Sequence, residues 1–171
     1  MTGDEIRVRR LTAADATFYR SIRLEALQQK PEAFGSTFEA ENGQPLTWFA
    51  DRLGVSTVFG AFRDADLLGV AGFLAQKNPK EAHKGLLWGM YVRPDARKAG
   101  VGQRLVEAVI EYAQHCVELI QLAVVSDNEQ ALRLYAGLGF VAYGIEKHAL
   151  KQNGRYYDDV LMAKALTTSD S

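Results

Sequence analysis

The stretch Tyr91-Val92-Arg93-Pro94-Asp95-Ala96-Arg97-Lys98-Ala99-Gly100-Val101-Gly102-Gln103-Arg104-Leu105 decides how this chain is read. It closes a strand-like run, Gly85 to Val92, and turns at Arg93-Pro94-Asp95. It then passes two cations and two glycines and enters a periodic segment at once. From Gly102 to His115, Leu105, Val106, Val109, Ile110 and Ala113 fall at the three-four spacing of an amphipathic helix. The first turn of a helix has four N–H groups without internal partners, and its dipole favours an anion there. Gly100 and Gly102 carry no side chain that would hold a phosphate away from those groups. Arg97, Lys98 and Arg104 could add charge-assisted hydrogen bonds. Strand, loop and helix together predict a pyrophosphate-sized anion on a helix N-terminus, with turn chemistry alone as the plainer reading of the glycines. Two other phosphate motifs are excluded. No Lys-Ser/Thr follows Gly102, as a P-loop requires, and Leu105 stands where a dinucleotide fingerprint needs its third glycine.

Upstream of this unit, Ile6 to Arg10 alternates as a half-buried strand. Thr12 and Asp15 read as a capping box for a helix near Ala13 to Gln29, whose apolar face holds Ile22, Leu24, Ala26 and Leu27 and which Pro31 stops. Residues 31–45 read as irregular or short helix, and a second helix covers Leu46 to Leu53. Thr57 to Phe62 and Leu67 to Gln76 are β-rich runs joined in a hairpin by Arg63-Asp64-Ala65-Asp66. Gly69 and Gly72 inside the second run point to bulges or close backbone approach. Downstream, Leu119 to Val125 is a near-continuous apolar strand and so a central one. Ser126-Asp127-Asn128-Glu129 reads as a capping box opening a helix through Leu138, closed by Gly139. Phe140 to Leu150 and Tyr156 to Ala165 form the last two strands, around the turn dipeptide Asn153-Gly154. The order βααβββαβαββ predicts an α/β fold, a mixed and mostly antiparallel sheet flanked by helices.

The 171 residues suit one domain, 1–171, with an ordered core at about 6–166 and polar ends, Met1 to Glu5 and Thr167 to Ser171, that fray. Twenty lysines and arginines against 21 acids leave a net charge of −1, which supports neither a basic nucleic-acid grip nor a polybasic membrane anchor. The N-terminus has no apolar signal region and no run approaches 18 apolar residues, so a cytoplasmic location is expected. A single cysteine, Cys116, cannot form an internal disulfide or a zinc cluster. Following the helix that starts at Gly102, it reads as a buried structural thiol rather than a nucleophile.

Arg97-Lys98-Ala99-Gly100-Val101-Gly102 resembles the Arg/Gln-x-x-Gly-x-Gly/Ala motif of the GNAT family of N-acetyltransferases. A second match lies downstream: Asn128-x-x-Ala131-x-x-Leu134-Tyr135-x-x-x-Gly139-Phe140 resembles that family's Asn-x-x-Ala-x-x-x-Tyr-x-x-x-Gly-Phe helix and strand start. The similarity runs from about Ile6 to Leu166. It implies acetyl-CoA as co-substrate, no metal, and transfer of the acetyl group directly to a primary amine of a small molecule or peptide in a ternary complex. By the same resemblance, backbone groups of Met90, Tyr91 and Val92 meet the pantetheine arm. Arg97, Lys98, Ala99, Gly100, Val101, Gly102 and Gln103 cradle the diphosphate. Asn128 bonds the pantetheine side, against helix initiation as its plainer role. Tyr135 donates a proton to the leaving thiolate, against core packing. A homodimer is frequent among similar proteins.

One departure matters. Many GNAT enzymes carry a glutamate on the strand before the phosphate loop, yet Leu86-Leu87-Trp88-Gly89-Met90-Tyr91-Val92 has no carboxylate. Deprotonating a lysine at neutral pH costs roughly 4 kcal/mol, whereas an α-amine at about 7.7–8.0 costs only around 1 kcal/mol. The gap therefore leans towards a low-pKa amine or a base elsewhere. Glu39, Glu41, His83 and Glu146 are the candidates, each also readable as a solvated surface residue. The segment after the first helix, with Phe34, Ser36 and Phe38, and the last hairpin, with Arg155, Tyr156, Tyr157 and Asp158, would shape the acceptor pocket. Arg155 could receive a carboxylate there, while plain in-and-out alternation of the tyrosines along a strand is the better reading. Trp48, Trp88 and Tyr91 read as core or pocket lining. Polyamine, amino acid, antibiotic and protein amines all stay open as acceptors, as do acyl groups longer than acetyl. A non-catalytic acyl-CoA sensor is the alternative function. A nucleotide-binding domain of another kind would leave the 128–140 match without a reason.

Overall fold

The apolar run Leu119–Val125 is a strand over those same residues and sits inside a seven-stranded sheet. The computed structural model describes residues 5–166, so the fraying expected at both ends lies outside it except at Glu5. The strands are β1 (Ile6–Arg10), β2 (Thr57–Arg63), β3 (Asp66–Ala75), β4 (Lys84–Val92), β5 (Leu119–Val125), β6 (Val141–Gln152) and β7 (Arg155–Ala165), in the sheet order β1-β2-β3-β4-β5-β7-β6. Among the described residues only β4 and β5 pair in parallel. That pairing needs a crossover, which the helix between them supplies. The helices are α1 (Ala16–Gln29), α2 (Phe38–Asn42), α3 (Leu46–Val55), α4 (Val101–Ala113) and α5 (Glu129–Gly137). The order is thus the expected one with a short extra helix, α2, in the segment read as irregular or short helix. Thr37 starts it by accepting a hydrogen bond from the Ala40 amide at 3.1 Å.

Helices cover both faces. The apolar stripe of α4 (Val101, Leu105, Val106, Val109, Ala113) is fully buried against Ala61, Ala71, Phe73, Ile120 and Leu122. Side chains of leucine or valine size contribute about 1.5–3 kcal/mol each when so buried. On the opposite face Tyr19, Ile22 and Leu27 of α1 and Phe49 and Leu53 of α3 pack on Val58, Leu67, Val70 and Tyr91. Among the described residues no helix is long and apolar enough to cross a membrane.

Two local departures bear on the site. Val70 faces Tyr91 while Gly72 faces Trp88, so three steps along β4 answer two along β3. The extra residue makes a bulge at Gly89, whose φ is +64°. Gly69 and Gly72 are positions of close approach: a Cβ on Gly72 would stand 2.6 Å from the Trp88 ring, and one on Gly69 3.0 Å from Leu105. The turn after β4 is also more regular than expected. Pro94 sits in the first turn of a 3-10 helix, Pro94–Ala99, that delivers the chain to α4 through Gly100.

Candidate active site

Parallel pairing between β4 and β5 lasts three residue pairs, Lys84 with Leu119, Gly85 with Ile120 and Leu86 with Gln121. Beyond Leu86 and Gln121 the two strands part, leaving a wedge in the middle of the sheet. A cleft of about 830 Å³ occupies it. Its lining includes Leu87 to Val92 on one strand and Leu122 to Val125 on the other. It also reaches Gly100, Gly102 and Gln103 at the start of α4, Asn128 to Ala131 at the start of α5, and Lys30, Glu32, Ala33 and Phe34 just after α1. The helices named first and those named last stand on opposite faces of the sheet, so the cleft passes through it.

At one end the backbone is arranged for an anion. Gly100, at φ +75°, is the N-cap of α4, and a Cβ there would meet nothing within 4 Å. The Arg104 amide donates to the Gly100 carbonyl at 3.2 Å, so the amides of Val101, Gly102 and Gln103 precede the helical ladder. A Cβ on Gly102 would stand 3.2 Å from Met90 and 3.4 Å from Leu134, so this glycine also lets α4 approach its neighbours. Arg97 lines the cleft and holds the loop to the strand, its Nε donating to the Val92 carbonyl at 3.0 Å. The structure does not bring every expected group here. Lys98 and Ala99 are exposed outside the cleft lining, and the Val101 side chain is buried in the core. Arg104 turns the other way and donates to the Ile6 carbonyl, so it is removed from the phosphate-contacting set. The Tyr91 side chain points to the α1 face, donating to Glu25 at 2.7 Å; burial and that carboxylate push its phenol up to about 12.

Asn128, rather than Ser126, caps α5: its side-chain oxygen accepts from the Ala131 amide at 3.1 Å. The Ser126 amide is still bonded to Asp158 of the sheet, which delays the helix by two residues. Asn128 therefore starts a helix and lines the cleft at once, with its side-chain amine uncommitted among the described residues. Tyr135 is 5% exposed, packs edge-on against Phe140 at 5.7 Å and lines the cleft. Burial drives its phenol well above the ordinary value, so it is a neutral O–H donor, and that hydroxyl has no hydrogen-bond partner among the described residues.

None of the four expected bases lines the cleft. Glu39 is exposed on α2, and His83 is exposed at the closed end of the wedge. Glu146 is exposed on β6 opposite Asp159. Glu41 is buried, which alone would raise its pKa, but Arg23 and Arg52 outweigh that and hold it below the ordinary carboxylate range. Glu32 is the carboxylate that does face the gap from the α1 side without an ion-pair partner among the described residues. Sequence reading missed it because the one-turn helix Pro31–Ala33, which carries it, packs on β5 and β6, elements far along the chain. Arg155 is held by Asp127 at 2.7 Å. Tyr157 lines the cleft while Tyr156 stacks on His148 at 4.3 Å, the alternation expected of a strand. Cys116 is exposed rather than buried: α4 ends at Ala113, so position 116 leaves its apolar face.

A model of the acetyltransferase (GNAT) family matches residues 19–140. The chain belongs to that family. It is 28% identical over 156 residues to an L-amino acid N-acetyltransferase of Escherichia coli, across 88% of this chain and 94% of that one. It is 28% identical over 141 residues to an L-methionine sulfoximine/L-methionine sulfone acetyltransferase of Pseudomonas aeruginosa, across 77% of this chain and 81% of the other. A Salmonella typhimurium structure that holds its cofactor acetyl-CoA superposes with a TM-score of 0.82 at 21% identity over 98% of each chain. This member of the GNAT family is an N-acetyltransferase, and its mixed seven-stranded fold is shared with that structure, whose cofactor is acetyl-CoA. The residues present fit that co-substrate. Free amides and open space at Gly100 suit a diphosphate, the parted strands suit an amide-bearing arm, and the unpartnered Tyr135 hydroxyl suits a sulfur. No cluster of His, Cys, Asp or Glu that could hold a metal is found among the described residues.

Proposed function

We propose that this acetyltransferase acetylates the amino group of a small, amino-acid-like acceptor by direct transfer, with both substrates in the cleft together. The observation that carries the reading is the passage through the sheet between β4 and β5. It joins the free amides of α4 on one face to the Lys30–Phe34 segment on the other, so two substrates can approach from opposite sides and meet in the gap. The relatives acting on L-amino acids and methionine analogues support the acceptor class.

Bound acetyl-CoA would supply the acyl carbon and a thiolate leaving group. The amides of Val101, Gly102 and Gln103, with Arg97, hold the diphosphate; the exposed backbone of Met90, Tyr91 and Val92 and the Asn128 side chain orient the arm. The Tyr135 O–H donates a hydrogen bond at the sulfur. Glu32 takes the proton that the acceptor nitrogen loses as its bond to carbon forms and the carbon–sulfur bond breaks. An exposed Cys116 outside the cleft leaves no thiol for an acyl-enzyme, so attack is direct. We read residues 1–171 as one such domain and the enzyme as cytoplasmic, in keeping with a single cysteine and no internal disulfide. The homodimer admitted by the resemblance is an expectation for sedimentation velocity, where a single monomeric species would remove it.

The test has two stages. A thermal melt with acetyl-CoA, NAD and ATP should show stabilisation by acetyl-CoA alone, about 2.7 kcal/mol at a hundred times Kd, or roughly 5–11 °C in Tm. Thiol release with a panel of amines should then favour α-amino acids over polyamines. A melt that responds to NAD or ATP, or thiol release only with polyamines, would defeat the reading.

A further inference from the structure

We infer that Arg23 selects acceptors that carry a carboxylate, an inference that rests on the amino-acid reading above and assigns it a residue. Arg23 stands in the middle of α1 with 5% of its surface exposed. Its Nε and Nη2 donate to the two oxygens of Glu41 at 3.0 and 2.9 Å. Arg52 of α3 lies 3.3 Å from the same carboxylate without a hydrogen bond from its Nη1. Two guanidiniums therefore share one acid, and the group keeps one positive charge in excess. Arg52 is partly open to water, with 28% of its side chain exposed, whereas Arg23 and Glu41 are buried. The group therefore presents a net positive charge to any anion that reaches Arg23.

The geometry shows where that anion would sit. The remaining nitrogen of Arg23, Nη1, makes no hydrogen bond among the described residues. It lies 3.8 Å from the position a Cβ on Gly89 would take. Gly89 is the bulged residue of β4 and lines the cleft, so no side chain of the strand stands between Arg23 and the gap at that point. Phe34 and Trp88, which also line the cleft, flank the Arg23 guanidinium at 5.2 and 5.9 Å. Arg23 thus lies directly behind the cleft lining at Gly89, and Phe34 and Trp88 reach from that lining to its guanidinium. A carboxylate on Nη1 would balance the excess charge. It would also shield the acceptor's own ammonium from the anion that keeps it protonated. Arg155, the other arginine near the cleft with a sequence claim to this task, already holds Asp127.

The competing account is that Arg23, Glu41 and Arg52 only clamp α1, α2 and α3 together, which would not distinguish one acceptor from another. The experiment compares kcat/KM for an L-amino acid and its carboxamide, each corrected to free-amine concentration. The enzymes are the wild type and the Arg23→Gln/Glu41→Gln double variant, in which two neutral amides replace the buried pair. The wild type should prefer the acid by roughly 10- to 150-fold, the range of one charge-assisted hydrogen bond. In the double variant that preference should fall towards one, through KM for the acid, with KM for acetyl-CoA unmoved. Equal use of acid and amide by the wild type overturns the inference while leaving the acetyltransferase reading intact. Transfer to neither acceptor removes both. If the double variant does not fold, Arg23→Lys keeps a cation beside Glu41 but not the Nη1 donor, and should lose most of the preference. Retention of the preference in either variant overturns the inference.

Discussion

Replacing Tyr135 by Phe removes one oxygen from a side chain that is 5% exposed and whose hydroxyl bonds nothing else among the described residues. The ring would keep its edge-on contact with Phe140, so stability should change by less than about 0.5 kcal/mol. The effect on rate follows from acidity. Burial holds the phenol well above the ordinary tyrosine value, while a thiol titrates near about 8.5. Full proton transfer from Tyr135 to the thiolate is therefore uphill, and the hydroxyl acts mainly as a hydrogen-bond donor to developing negative charge. Hydrogen bonds to charged groups contribute about 1.5–3 kcal/mol, so kcat should fall roughly 10- to 150-fold with KM for acetyl-CoA little changed. Thiol release under saturating acetyl-CoA, followed from pH 6 to 10 and paired with a thermal melt, reads all three quantities. An unchanged kcat would mean that the hydroxyl does not meet the sulfur. A fall beyond a thousandfold would mean that complete proton transfer is required and that the acidity argument is wrong. A Tm lower by several degrees would mean that the hydroxyl has a structural partner.

Asn128 separates its two roles by substitution. Asn128→Ala should cost about 0.5–2 kcal/mol through loss of the cap on the Ala131 amide, whereas Asn128→Asp keeps the accepting oxygen and should melt near wild type. Raised KM for acetyl-CoA in both variants would place the side-chain amine on the co-substrate; a normal KM in the aspartate variant would leave it a cap only. Gly100→Ala forces a Cβ into left-handed backbone at φ +75°, at roughly 1–2 kcal/mol, and puts a methyl into space that the diphosphate would use. Its KM for acetyl-CoA should rise, and a lowered Tm with unchanged KM would refute the loop assignment. Acid stability has a definite sign. Arg9 lowers Asp15, and the arginine pair lowers Glu41 against its burial, so both carboxyls have folded pKa values below their unfolded ones. Their contribution is present above the ordinary value of about 4 and is lost as pH falls through the lower folded values. Denaturant melts should lose stability below about pH 4, and the Arg23→Gln/Glu41→Gln double variant should lose less; an equal acid limb would refute the Glu41 contribution.

What could be read from sequence was local. The bounds of β5 follow from an unbroken apolar run, and the tight turn before α4 follows from proline, cations and two glycines in order. Motifs whose residues neighbour one another, such as 97–102 and 128–140, point to one wall of the cleft for the same reason. The α1 side of the cleft is hidden in the sequence because it is assembled across distance. Glu41 looks like a free acid until α1 and α3 bring Arg23 and Arg52 to it. Glu32 looks like a loop residue until its turn lands on β5 and β6. The start of α5 lies two residues past the capping signal at Ser126 because the sheet recruits the Ser126 amide, a partner no local rule supplies. Cys116 reads as buried because free cysteines usually are, yet α4 ends at Ala113 and the residue beyond it is exposed.

The early end of pairing between β4 and β5 has a consequence for how the protein should behave without substrate. Past Leu86 and Gln121, two strands deep inside the sheet face each other with the vulnerability normally confined to an outermost strand. A taper of this kind is too narrow at its vertex for another protein's strand, yet it can receive a slim, amide-bearing molecule as though that molecule were a missing rung. Binding would then complete the sheet as well as fill a cavity. Of the amide hydrogens along Leu87–Val92 and Leu122–Val125, those that point into the gap rather than to β3 or β7 should exchange fast in the free protein and slow together when the gap is bridged, including those that never touch the bound molecule.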